Sequence, residues 1–229
     1  MRYLAFFLLA GALLGQWDSV GNRSLVLGKL YQREHQPDNP FCDHEACTIK
    51  HEVLGEYELP YKTRKAKLVV AASTDEHHDC HSCGPALSLF EFTQRAGQWV
   101  LTDSQFAVAE WGQFGSSYRS GITVSPLGDD LYGVFLVAGS THQGYTDQFT
   151  RILARVQKAI QQVSEIQTGN DDSGSFTPGA VDWQASVTVD PRGTGFHDLI
   201  VNSSGIRDGE KFRKVERYKF NGSEYVPTP

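Results

Sequence analysis

The sequence predicts a mostly β, antiparallel fold, a sandwich or a compact set of hairpins. Three observations carry this. Short apolar runs are separated by polar, glycine-rich turns; several runs alternate with period two; and a hairpin-like unit recurs. The chain has 229 residues with 40% hydrophobic ones, enough for one large β domain. Its net charge of −6 comes without any extended basic field, which argues against a nucleic-acid partner.

The first residues read as an export signal, assigned to 1–15. Arg2 precedes an apolar run, Tyr3 to Leu14, too short to span a bilayer and suited to a signal's apolar segment. Ala10-Gly11-Ala12 offers a small-residue cleavage site, and cleavage a few residues later also fits. The chain is therefore expected to be periplasmic or secreted, and not membrane-embedded once processed.

Residues 16–65 read as a loop-rich segment, polar and containing Pro37, Pro40 and Pro60, with a short strand at Ser24–Leu27. The β domain proper is expected over 66–229. Leu68–Ala72 is a compact strand, preceded by a basic run, Lys62 to Lys67, that reads as a solvated strand end. Ala86–Phe92 and Gly97–Leu101 form a strand and its return. Leu131–Ala138 is apolar throughout and expected to be buried on both faces. Trp183–Val189 alternates, and His197–Val201, Val215–Phe220 and Tyr225-Val226 follow. Asn221-Gly222 marks a tight hairpin, since both residues tolerate positive φ.

Residues 145–167 carry two readings. Phe149, Ile152, Leu153, Val156, Ile160, Val163 and Ile166 recur at helical spacing. The hairpin unit favours two strands instead: Leu89–Phe92 turning into Gly97–Val100 and Tyr218–Phe220 turning into Gly222–Val226 suggest a third copy at Leu153–Val156 and Ile160–Val163. The loops at 169–174 and 190–195 read as solvated turns; the first lacks the spacing of a calcium loop.

Reactive side chains are densest at Cys42-Asp43-His44-Glu45-Ala46-Cys47 and Glu76-His77-His78-Asp79-Cys80-His81-Ser82-Cys83. An exported chain meets oxidising conditions, so two disulfides are expected. Three connectivities are open, and short loops favour Cys42–Cys47 with Cys80–Cys83. The alternative is a zinc or copper site, or a thiol-redox centre, drawing on His77, His78, Cys80, His81 and Cys83. Haem attachment fails because Gly84, not His, follows the second cysteine. Serine-hydrolase, zinc-protease and phosphate-loop spacings are all missing, so no catalytic residue and no cofactor are assigned. The remaining signal is aromatic. Trp99, Trp111, Phe114, Tyr118, Tyr132 and Tyr145 surround glycine-rich turns, and all but Tyr132 are taken as candidate binding residues. The expectation is a non-catalytic module that binds a protein or cell-envelope component.

Asp79–Pro85, Leu89–Trp99, Gly144-Tyr145-Thr146 and the closing stretch from Asp198–Val201 to Tyr218–Pro227 resemble a loose group of exported bacterial β proteins. That resemblance implies fold and export, and it carries over no catalytic residue. Bacterial lysozyme inhibitors are a further exported β class, but their Ser-Gly-x-x-Tyr loop does not match Ser120-Gly121-Ile122-Thr123-Val124.

Overall fold

The computed structural model describes residues 17–42, 47–77, 83–112, 121–175 and 179–228. It contains one helix among these residues, α1 (Ser19–Glu34), followed by twelve strands. The strands are β1 (Ile49–Glu58), β2 (Ala66–Asp75), β3 (Ala86–Arg95), β4 (Gln98–Glu110), β5 (Ile122–Gly128), β6 (Leu131–His142), β7 (Tyr145–Val156), β8 (Ala159–Asp171), β9 (Asp182–Val189), β10 (Leu199–Arg207), β11 (Glu210–Phe220) and β12 (Tyr225–Pro227).

All pairing is antiparallel and sequential. β1–β4 form a four-stranded sheet, and β5–β12 form an eight-stranded one. The larger sheet turns a corner where β8 meets β9 over three residue pairs, Gly169–Gln184 to Asp171–Asp182. Its two halves then pack face to face, so the molecule consists of three four-stranded meanders in layers.

Side-chain alternation explains the stacking. In β2, Leu68, Val70 and Ala72 face the second layer, whereas Val69 and Ala71 face α1. In β6, Tyr132, Val134 and Leu136 face the first layer, whereas Phe135 faces the third. Both strands are buried on two faces, which is why each reads as an unbroken apolar run. The third layer contributes Leu199, Val201 and Tyr225 to the second interface.

The 145–167 stretch is a hairpin, β7–β8, with its turn at Gln157-Lys158. Its helical spacing arises because the hairpin is buried on both faces, Leu153 and Ile160 in one interface and Ile152, Val163 and Ile166 in the other, and two extra residues in β8 add register shifts at Gln148/Phe149 and Ile152/Leu153. These move apolar residues out of strict alternation. The hairpins at 89–100 and 218–226 are also present, as β3–β4 and β11–β12.

Two expectations are corrected. Residues 24–27 are helix, not strand, and 16–65 is not loop-rich, since it holds α1 and β1. Asp18 caps α1, accepting from the Gly21 N–H at 2.9 Å. Val26 and Leu30, one turn apart, are fully buried against Phe90 and Phe92. Full burial of each is worth about 1.5–3 kcal/mol. Glu56 in β1 ties down the chain before the helix by accepting from the Trp17 indole, the Ser19 hydroxyl and Arg23. Burial works against its charge, but these three donors outweigh it and hold its carboxyl below the usual range.

The 169–174 loop is also corrected in one respect. Asp172 is only 3% exposed and accepts backbone N–H groups from Gly179, Ala180 and Val181. It is a structural anion that organises the approach to β9. The start of the basic run is tied to the second layer: Lys62 Nζ pairs with Asp129 at 2.5 Å, and Asp130 accepts from the Lys62 backbone and the Thr63 hydroxyl.

Candidate functional site

A cleft of about 440 Å³ opens between the first two layers, at the end where β4 finishes and β6 meets β7. Trp111 forms its floor. The indole is 1% exposed, and its backbone N–H donates to the Pro85 carbonyl at 3.1 Å. Two glycines make this seat possible. A Cβ on Gly84 would lie 2.8 Å from backbone atoms of Trp111 and Gly112. One on Gly121 would lie 3.0 Å from the Trp111 ring and 2.5 Å from the Val137 carbonyl.

The opposite wall comes from the second layer: Ala138 to Ser140 and His142 of β6, Phe149 and Arg151 of β7, and Glu165 of β8. Arg151 and Glu165 are direct cross-strand partners. The Arg151 guanidinium pairs with the Glu165 carboxylate and also donates to the Glu110 carbonyl at 3.1 Å, bridging the two layers. The cleft therefore presents the half-buried Phe149 ring beside a fixed pair of opposite charges, above the buried Trp111 and with glycine-lined backbone at its base. That composition suits recognition of a ligand with apolar and polar parts.

The expected aromatic face is assembled only in part. Trp111 lies in the cleft. Tyr145 stands at the adjoining β6–β7 hairpin, 46% exposed and paired in register with His142. Trp99 belongs elsewhere: it lies at the start of β4, edge-on to Trp17 at 5.1 Å, with Lys67 Nζ 6.0 Å away. It anchors the chain entering α1. Phe114 and Tyr118 lie outside the described residues. The sequence marks Phe149 only by its spacing and does not mark Arg151 or Glu165 as site residues. Their signal was the cross-strand register of β7–β8, which emerges only once the hairpin is fixed.

Cys42 and Cys47 form a disulfide with a Cα–Cα distance of 6.0 Å. Cys83 is also disulfide-bonded, whereas Cys80, His78 and His81 lie outside the described residues. His77 approaches Thr48, Nε2 to Oγ1 at 3.3 Å. Among the described residues no group of three or more His, Cys, Asp or Glu side chains is placed to hold a metal ion, and no helix is long and apolar enough to cross a membrane. Compared with protein-family models, with curated proteins and with solved structures, the chain matches none of them.

Proposed function

We propose that this chain is an exported, non-catalytic β module that binds a protein or cell-envelope component in the cleft above Trp111. The observation supporting it is the convergence there of Trp111, just past the end of β4, with Phe149 and Arg151 of β7 and Glu165 of β8, drawn from two layers. Rigid strands position this wall, as binding sites require. The Cys42–Cys47 disulfide supports the exported half of the reading, because such bonds persist in oxidising compartments.

Filling the cleft tests the proposal. Ser140→Trp places a ring in the cavity, and Arg151→Glu reverses its cation. Both variants should melt within a few degrees of the parent yet lose association with isolated envelope fractions, read by sedimentation. Undiminished association in both would refute the cleft. Zinc or copper near one equivalent in untagged protein purified from its own envelope would point instead to a metal-binding protein using the Cys/His-rich segment.

A further inference from the structure

The third layer is outermost, and one of its faces differs in charge from the rest of the chain. β10 pairs with β9 and β11 without a register shift, so its alternation is strict. Leu199, Val201, Tyr218 and Phe220 point into the second interface. Lys211, Arg213, Val215, Arg217 and Lys219 therefore share the opposite, outward face of β11. Both glutamates of that strand, Glu210 and Glu216, fall on the inward register. In a chain of net charge −6, four of five consecutive outward positions are cationic.

Arg217 is oriented by Asp190 at 2.9 Å and Asp198 at 2.8 Å. Lys211, Arg213 and Lys219 make no ion pair among the described residues. Val215, between them, is 61% exposed. Beside this row, β10 presents exposed Asn202 and Ser204 between half-buried Ile200 and Ile206, and β9 presents exposed Gln184, Ser186 and Thr188. Asp182 is the one acid at an outward position of β9–β11, across β10 from Lys211.

We propose that this face docks a linear acidic polysaccharide lying along β11. Alternate residues of a strand are about 6.8 Å apart, so the cations from Lys211 to Lys219 span about 27 Å, a track for a repeating anion. The neighbouring hydroxyl and amide row matches sugar hydroxyls. Single-stranded nucleic acid fits less well, because no aromatic side chain on this face offers a platform for bases. A bilayer fits less well too, since the face lacks the Trp and Tyr of an interfacial belt. This surface is separate from the cleft and does not rest on it.

The test uses the full chain with an oligogalacturonate of about ten sugars, and its methyl-esterified form as the uncharged control. Calorimetry should detect binding of the acid form only, weakening steadily as salt is raised. Combining Lys211→Glu, Arg213→Glu and Lys219→Glu should weaken it at least about tenfold. The corresponding Gln triple variant should lie between, and both should keep the parent's melting temperature. Ser140→Trp should leave this binding unchanged, which separates the face from the cleft. The proposal fails if the acid oligosaccharide does not bind, if the Glu variant binds it equally well, or if oligothymidylate or phosphatidylglycerol vesicles bind as tightly.

Discussion

Tyr132 carries a buried hydroxyl with no hydrogen-bond partner among the described residues, on a residue only 3% exposed. Burial drives its pKa far above the ordinary tyrosine value, and the nearby Glu91 carboxylate adds to the effect. Tyr61, 5.8 Å away and edge-on, has the opposite fate: its hydroxyl donates to Glu91 at 3.2 Å, and burial pushes its pKa up to about 12. Glu91 is 5% exposed and is also paired with Arg64 at 2.9 Å. The two tyrosines therefore predict opposite responses to losing one oxygen. Tyr132→Phe removes an unsatisfied polar group and should raise stability by about 1 kcal/mol, whereas Tyr61→Phe should lower it by about the same amount. Urea midpoints of the two variants check both signs. A destabilised Tyr132→Phe would mean that its hydroxyl is satisfied in solution.

At the scale of elements, α1 is pinned by a polar contact that responds to pH. The His51 side chain in β1 is fully buried, with Nε2 3.0 Å from Glu34 of the helix and Nδ1 2.8 Å from the Ser73 hydroxyl. The carboxylate only accepts, so Nε2 carries the proton and Nδ1 accepts from Ser73. Tyr31 and Phe41 pack edge-on to the ring. Burial pushes His51 below its ordinary 6.5, although Glu34 pulls the other way. The unfolded chain thus takes up a proton near pH 6.5 that the folded chain resists, so stability is complete above 6.5 and declines as pH falls below it. Glu56, depressed below 4.5, adds a second loss in the more acidic window. Urea midpoints should fall in two stages, and His51→Gln should remove the upper stage alone. Legibility from sequence follows the same local logic. Strands buried on two faces announced themselves as runs, as at 68–72 and 131–138, and hairpins announced themselves at their glycine turns. The helix did not, because only Val26 and Leu30 are fully buried along it and Gly21 and Gly28 weaken its propensity. β1 was missed because its burial pattern barely alternates. The cleft was legible at Trp111, but its charged wall depends on register, which no local pattern encodes.

For the whole molecule, each layer is hydrogen-bonded mainly within itself and buried against its neighbours. The first and second layers are further joined by polar links: Arg155 of β7 pairs with Asp103 of β4 and lies 3.8 Å from Glu91 of β3. Arg151 adds its contact with the Glu110 carbonyl at the cleft. The cleft therefore exists only while both layers hold their relative position, and a ligand bound there, as proposed, should stabilise that arrangement through linkage. Ser140→Trp, which fills the proposed ligand's place, should abolish any ligand-induced rise in melting temperature while leaving the ligand-free transition nearly intact.

An array of β layers has no intrinsic length, since each apolar face invites another of its kind. Here growth is terminated differently on the two sides: by an amphipathic helix over Val69, Ala71, Phe90 and Phe92, and by a hydrophilic, cationic sheet surface beyond β11. The first terminator is removable. Deleting residues 17–36 would turn a closed object into one with an adhesive side, and light scattering should then register pairs or larger assemblies where the full chain gives a smaller species. A truncated chain that scatters as a single copy would show that the apolar face closes over by itself.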